Sequence, residues 1–180
     1  MTQDELATEV RRLRDRQDIL DCITSACRGM DRMDRDLIVS AYHPDAIDDH
    51  GLFVGGREAF ADWVLGICRT AIQASAHTIA NHTCEIAGDV AHAETYVITA
   101  SMPMKLSGGR YIDRLERRDG RWAIAARKVV LDWWLPTDGG ASGITPDQIN
   151  QAGPPTRDRT DPSYARPLTV APDRLARAQG

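Results

Sequence analysis

The chain has 180 residues, is 42% hydrophobic, and carries 22 basic against 26 acidic side chains for a formal charge of −4. That size and balance fit one globular domain with a full core and a tail. The two signs are interspersed, with no basic stripe of the kind that neutralises phosphates, so nucleic acid is not an expected partner. No apolar run approaches the roughly 20 residues of a membrane span. The start, Met1–Glu5, has neither the basic opening nor the apolar centre of a signal peptide, so the expected location is cytoplasmic, with no membrane partner. The cysteines, Cys22, Cys27, Cys68 and Cys84, form no CxxC pair and sit in apolar or helical patterns, which reads as buried free thiols with no metal site.

In chain order, Leu6, Val10, Leu13, Leu20, Ile23 and Cys27 recur at helical spacings over residues 3–28, capped by Thr2 or Asp4, with a bend expected in the charged stretch Arg14–Asp18. Gly29 is expected to interrupt this helix and leave Asp31 just past a turn. Asp34 then caps a short helix over residues 35–42, and His43-Pro44 stops it. A strand over residues 46–50 places Ala46, Asp48 and His50 on one face, and Gly51 turns the chain. Phe53–Gly56 reads as a second extended piece, and residues 57–71 have a helical period through Phe60, Val64, Ile67 and Cys68.

From His77 the period becomes two. Strands are expected over residues 78–87, 90–104, 111–118 and 122–134, separated by turns at Gly88-Asp89, Ser107-Gly108-Gly109 and Asp119-Gly120. Helices followed by a meander argue for an α+β fold in which helices cover one face of a curved antiparallel sheet. The domain is expected to span residues 1–135. Residues 136–180 lose periodicity and gain Pro, Gly, Arg and Asp. They read as an extended tail, with a short helix near residues 173–178, for which wrapping of a neighbouring subunit is favoured over disorder and over a water-excluding lid.

These pieces occur in a recognisable order: Gly29-x-Asp31, Tyr42-x-x-Asp45-Ala46, Gly55-Gly56-Arg57-Glu58, His77-x-x-x-Asn81 and Arg117-Arg118-Asp119-Gly120-Arg121-Trp122. Over residues 5–134 the chain resembles the SnoaL-like branch of the nuclear-transport-factor-2-like (NTF2-like) superfamily, nearest the group of hexachlorocyclohexane dehydrochlorinase and bile-acid 7α-dehydratase. The resemblance implies a cone of curved sheet closed by helices, a hydrophobic small-molecule substrate inside it, no cofactor, and a homo-oligomer, the trimer favoured. It also implies an Asp–His dyad at Asp31 and His77 and a pocket arginine at Arg127. The additional tyrosine and acid of the bile-acid enzyme have no clear counterpart here.

The residues themselves support such a site. Strand alternation puts His77, Ile79 and Asn81 on one face, and Arg127 on a face with Ala125, Val129, Leu131 and Trp133. An arginine in an apolar stripe is costly to bury unless it meets an anion or a substrate oxygen. The expected roles are His77 as general base, Asp31 orienting it, and Arg127 stabilising negative charge. His50, Asp48, Tyr111, Trp133 and Asn81 are expected to contact substrate. Structural readings stand beside these: Asp31 as a helix cap or a partner of Arg28 or Arg35, His77 as a strand start, and Arg127 bridged to Asp31 or Asp113. The expected activity is a cofactor-independent lyase that eliminates water, halide or formaldehyde. The alternatives are a dienolate-forming isomerase and a non-catalytic binding or assembly subunit.

Overall fold

The computed structural model describes residues 1–102, 105–136, 146–154, 156 and 158–177. Helix α1 spans Gln3–Arg32 without a break. Its start is a reciprocal cap, in which the Thr2 hydroxyl accepts the Glu5 N–H at 3.2 Å and the Glu5 carboxylate accepts the Thr2 N–H at 2.7 Å. Gly29 therefore does not interrupt the helix as expected. It is buried within it, because a Cβ there would stand 2.6 Å from Ile38 Cγ1 and 2.9 Å from the Ile38 nitrogen. Its lack of a side chain lets α2 (Arg35–Ser40) fold back against α1, and Met33, at φ 57°, makes the reversal. Asp34 caps α2 as predicted, its carboxylate accepting the Leu37 N–H at 3.0 Å.

Only the second half of α1 is covered. Ile19, Ile23, Ala26, Cys27 and Met30 are buried, whereas Leu6, Val10 and Leu13 are 47%, 55% and 60% exposed. The apolar stripe thus runs past the edge of the domain. The other long helix, α3 (Arg57–Ala71), has the predicted limits and buries Phe60, Ala61 and Leu65. Complete burial of a Phe, Leu or Ile side chain stabilises by about 1.5–3 kcal/mol.

Both helices lie against a six-stranded sheet in the order β2-β1-β6-β5-β4-β3, formed by β1 (Tyr42–Asp49), β2 (Val54–Gly56), β3 (Ala74–Ala87), β4 (Val90–Met102), β5 (Lys105–Arg118) and β6 (Arg121–Pro136). The meander β3–β6 is antiparallel as expected, while β1 joins β6 in parallel. The residues His43-Pro44, expected to precede the strand, lie inside β1. Between Tyr42 and Ile47 the register slips, five steps on β1 matching two on β6 from Ile124 to Ala126, and that irregularity accommodates a proline with no N–H to donate.

Three further irregularities bend the sheet, at Ile79/His82, Gly108/Gly109 and Arg114/Leu115. Ser107–Gly109, predicted as a turn, lies within β5. The glycines there permit close approach, since a Cβ on Gly108 would strike the Trp133 ring and one on Gly109 the Val130 carbonyl. The Met104 end of the predicted second strand lies outside the described residues. Asp119 and Gly120, both at positive φ, make the predicted two-residue hairpin.

The described part of the C-terminal segment packs on the chain's own sheet. Beyond Asp49, where β1 ends, the edge of β6 is taken by Asn150, the residue after α4 (Pro146–Ile149): it accepts the Leu131 N–H and donates to the Leu131 carbonyl, both at 2.9 Å. The segment then crosses the outer face. Asp161 binds Arg110 at 2.8 and 3.0 Å, Leu168 buries against Ile112 and Val130, and Arg174 in α5 (Pro172–Arg177) holds the buried Asp49 and the Gly51 carbonyl. Charged residues of the segment thus find partners on β1, β3 and β5.

Candidate active site

Between the helices and the concave face of the sheet lies a cavity of about 210 Å³, walled mainly by apolar groups such as Leu52, Trp63, Val97, Val129 and Ile149, with His50, His77 and Tyr111 among its polar-tipped lining residues. Apolar walls with a few convergent polar groups are the usual character of a small-molecule site.

Asp31, in the last turn of α1, reaches across to the start of β3. Its Oδ1 is 2.6 Å from His77 Nδ1 and accepts the Ser75 hydroxyl at 3.0 Å, while its Oδ2 accepts the His77 backbone N–H at 2.9 Å. Burial alone would raise the Asp31 carboxyl's pKa, but the His77 and Ser75 hydrogen bonds outweigh it and hold the group below its usual range. An ionised carboxylate at Nδ1 fixes the ring with that nitrogen protonated, leaving Nε2 to act on the cavity. Among the described residues none hydrogen-bonds Nε2.

A second imidazole faces the same cavity from the residue just after β1. His50 Nδ1 is 2.9 Å from Asp48 Oδ1, and the Tyr42 hydroxyl donates to Asp48 Oδ2 at 2.6 Å. The His50 ring stacks on Phe60 with centroids 4.9 Å apart. Behind Tyr42 is an ion pair, Arg127 Nε and Nη2 to the two oxygens of Asp113 at 2.7 and 2.8 Å, with both side chains at 0% exposure. Burial opposes charge on each partner and raises the Asp113 carboxyl, but Asp113 more than offsets that penalty at Arg127, which stays charged. The guanidinium lies 4.1 Å from the Tyr111 ring centroid and 3.3 Å from the Tyr42 hydroxyl.

The expected site residues therefore separate into three groups. His77, His50 and Tyr111 line the cavity. Asp31 and Asp48 stand behind the histidines, Asp48 with no exposed surface. Arg127 is beneath the floor, bridged to Asp113 as its structural reading had it, and does not line the cavity. Asn81 and Trp133 lie on the opposite face of the sheet, along a groove of about 820 Å³ with Tyr96, Arg110 and Tyr164.

The last two depart from the expected faces because each strand carries a bulge before them. On β3, His77 pairs Thr99 and Ile79 pairs Val97, but His82 pairs Thr95, so an extra residue at Ala80–Asn81 turns Asn81 outward and brings His82 and Cys84 to the helix side. On β6, Leu131 pairs Gly109 and Trp133 pairs Gly108, so the extra residue Asp132 reverses Trp133. Trp122 is on the helix side, its Nε1–H donating to Asp15 at 2.9 Å.

Ser75 and Tyr42, which hold the two carboxylates, were not anticipated. Ser75 stands two before His77 on the same strand face, whereas Tyr42, although part of the Tyr42-x-x-Asp45-Ala46 pattern, falls where the sequence predicts the end of a helix. No group of three or more His, Cys, Asp and Glu among the described residues could hold a metal ion. The four cysteines are free, and burial pushes the Cys22 and Cys27 thiols up to about 11, far from a reactive thiolate.

This architecture recurs in solved structures. Hexachlorocyclohexane dehydrochlorinase LinA-type3 from Novosphingobium barchaimii LL02 matches with a TM-score of 0.66 and 21% identity over 73% of this chain and 96% of that one. A candidate scytalone dehydratase from Novosphingobium aromaticivorans DSM 12444 matches at 0.63 and 17%, over 72% and 92%. Rv3472, a function-unknown protein from Mycobacterium tuberculosis, matches at 0.63 and 21%, over 77% and 84%. At such identities the likeness shows the fold, an α+β cone. No curated protein matches. The profile of the SnoaL-like domain matches residues 11–128, and the chain belongs to that family within the NTF2-like superfamily.

Proposed function

We propose that the protein is a cofactor-independent lyase that eliminates water, halide or formaldehyde from a hydrophobic small molecule, an aromatic or steroid-like compound of a catabolic pathway. The observation that carries this reading is His77, its Nδ1 tied to Asp31 at 2.6 Å and its ring on an apolar cavity. Nε2 takes a proton from carbon, Asp31 stabilises the imidazolium that forms, and the electron pair left behind expels the leaving group. Tyr111 and His50 contact the substrate. Arg127 acts from below, fixing Asp113 and the Tyr42 hydroxyl. The dehydrochlorinase and dehydratase names among the structural relatives agree with elimination. With about 210 Å³, the cavity favours a substrate that seats one ring at a time.

The test is a thermal-shift screen of wild type and His77→Ala against hydroxylated aromatic dimers, steroids, bile acids and halogenated rings, each stabilising mixture then being analysed by mass spectrometry. Both proteins should be stabilised, with loss of water, halide or formaldehyde in wild type alone. Unchanged mass with solvent deuterium incorporated would make the protein an isomerase. Unchanged mass without exchange would make it a binding module.

A further inference from the structure

Two imidazoles on one cavity, each with a carboxylate at Nδ1, look like duplicates, but their surroundings differ. Asp31 keeps 15% of its side chain exposed and receives two donors besides the His77 ring, the Ser75 hydroxyl and a backbone N–H. That pair can carry a net negative charge, with one proton on Nδ1 and none on Nε2. Asp48 is at 0% exposure. Its only donors among the described residues are the His50 ring and the Tyr42 hydroxyl, which burial above all keeps protonated.

Across the cavity from His50 stands the Asp31–His77 pair, and Asp49, next to it in the chain, is paired with Arg174. Phe60 and Trp63 on α3 and Tyr111 on β5 are uncharged, and Asp48 and Tyr42 are its neighbours on β1. Arg127 and Asp113 cancel each other through two hydrogen bonds. An isolated buried anion is far costlier than a neutral pair. A neutral Asp48–His50 pair would carry two protons. One would lie between Asp48 and Nδ1, on whichever of the two, and the other on Nε2. Nε2–H would then point at the cavity as a donor.

Building on the lyase reading, we propose that His50, held by Asp48, is the catalytic acid of this cavity and that the natural leaving group is an oxygen that must be protonated to depart. His77 Nε2 takes the proton from carbon, and the C–H electron pair becomes the new π bond. The C–O bond breaks with its pair on oxygen, which takes the His50 Nε2 proton and leaves as water. His77 ends with one proton more and His50 with one fewer, and exchange through solvent restores both. A halide leaves as a stable anion without such help, so the second histidine selects for hydroxylated substrates.

The decisive measurement needs no substrate. The chain has five histidines, and two-bond 1H–15N correlation spectra of the labelled wild-type protein at pH 7, assigned with His50→Gln and His77→Gln, report each ring nitrogen. The expected result is a proton-bearing Nε2 at His50 and a bare Nε2 at His77. A bare Nε2 at His50 overturns the assignment even if the protein proves to be a lyase. The kinetic arm uses the compound that loses water in the screen and its analogue with chloride in place of the leaving hydroxyl. His50→Gln should slow water loss at least about 100-fold and chloride loss only a few-fold. Equal slowing of both, or of neither, removes His50 from the leaving-group side. No elimination by wild type from any compound sinks the lyase reading instead, whatever the spectra show.

Discussion

Asp31 holds His77 at two points: one carboxylate oxygen takes the backbone N–H of the residue at 2.9 Å and the other takes its ring at 2.6 Å. The end of α1 thus fixes both the path of β3 and the direction of the imidazole. Asp31→Asn replaces one acceptor oxygen with an NH2 group, which can satisfy the backbone or the ring but not both in their present form. Turnover of the substrate found in the screen should fall by about 10³–10⁴, the scale known for a carboxylate-to-amide change behind a catalytic histidine. Thermal-shift binding of the same compound should remain. A variant within ten-fold of wild-type turnover would remove Asp31 from the mechanism.

The same carboxylate makes stability depend on acid. Burial opposes its ionisation, but the His77 and Ser75 hydrogen bonds prevail, so the folded pKa is depressed. A depressed carboxyl contributes stability that is fully present above the unfolded value, about pH 4, and is lost as pH falls through the folded one. Urea midpoints between pH 2 and pH 6 should therefore drop more steeply toward acid in wild type than in Asp31→Asn. Parallel curves would mean that Asp31 is no better hydrogen-bonded folded than unfolded.

Arg127 should behave as a structural residue first. Arg127→Met leaves Asp113 as a fully buried carboxylate without its cation, and breaking such a pair costs about 3–5 kcal/mol. Arg127→Lys keeps the charge but loses the two-pronged fit to both oxygens of Asp113, so it should be intermediate. Chemical denaturation of the two variants checks the order Arg, Lys, Met. An Arg127→Lys protein of wild-type stability that had lost its activity would return the arginine to direct contact with substrate.

How far the sequence could be read depended on whether a signal was local. The limits of α3, the cap at Asp34 and the hairpin at Asp119-Gly120 follow from adjacent residues, and the structure has them. Gly29 misled because its role is set by Ile38 on another helix rather than by the turn propensity of glycine. Asn81 and Trp133 misled because a bulge reverses every side chain beyond it, and nothing in the residues Ala80 or Asp132 announces one. Asp48 lies on the expected face, but its partner Tyr42 comes from a stretch whose pattern predicts the end of a helix. The Asp31–His77 pair was legible only through the resemblance, because contact between residues 46 positions apart has no local sign.

The C-terminal segment supplies the last expected outcome. Ile149 lines the cavity, and its neighbour Asn150 ties the segment to both backbone groups of Leu131 on the β6 edge. Farther on, Arg174 in α5 closes on Asp49, which has no exposed surface. These two attachments should separate in their effects. Asn150→Ala frees an N–H and a carbonyl that water can reach, at a cost of about 1–2 kcal/mol, and loosens the wall at Ile149. Its main consequence should be a several-fold rise in KM with kcat little changed. Arg174→Met leaves Asp49 buried without its cation, which should lower stability by about 3–5 kcal/mol and release the segment as a whole. Limited proteolysis of the Arg174→Met protein should cut within residues 146–177 much faster than in wild type, while the β3–β6 meander resists. Equal protection of the segment in both proteins would show that Leu168 and the Asp161–Arg110 pair hold it without Arg174.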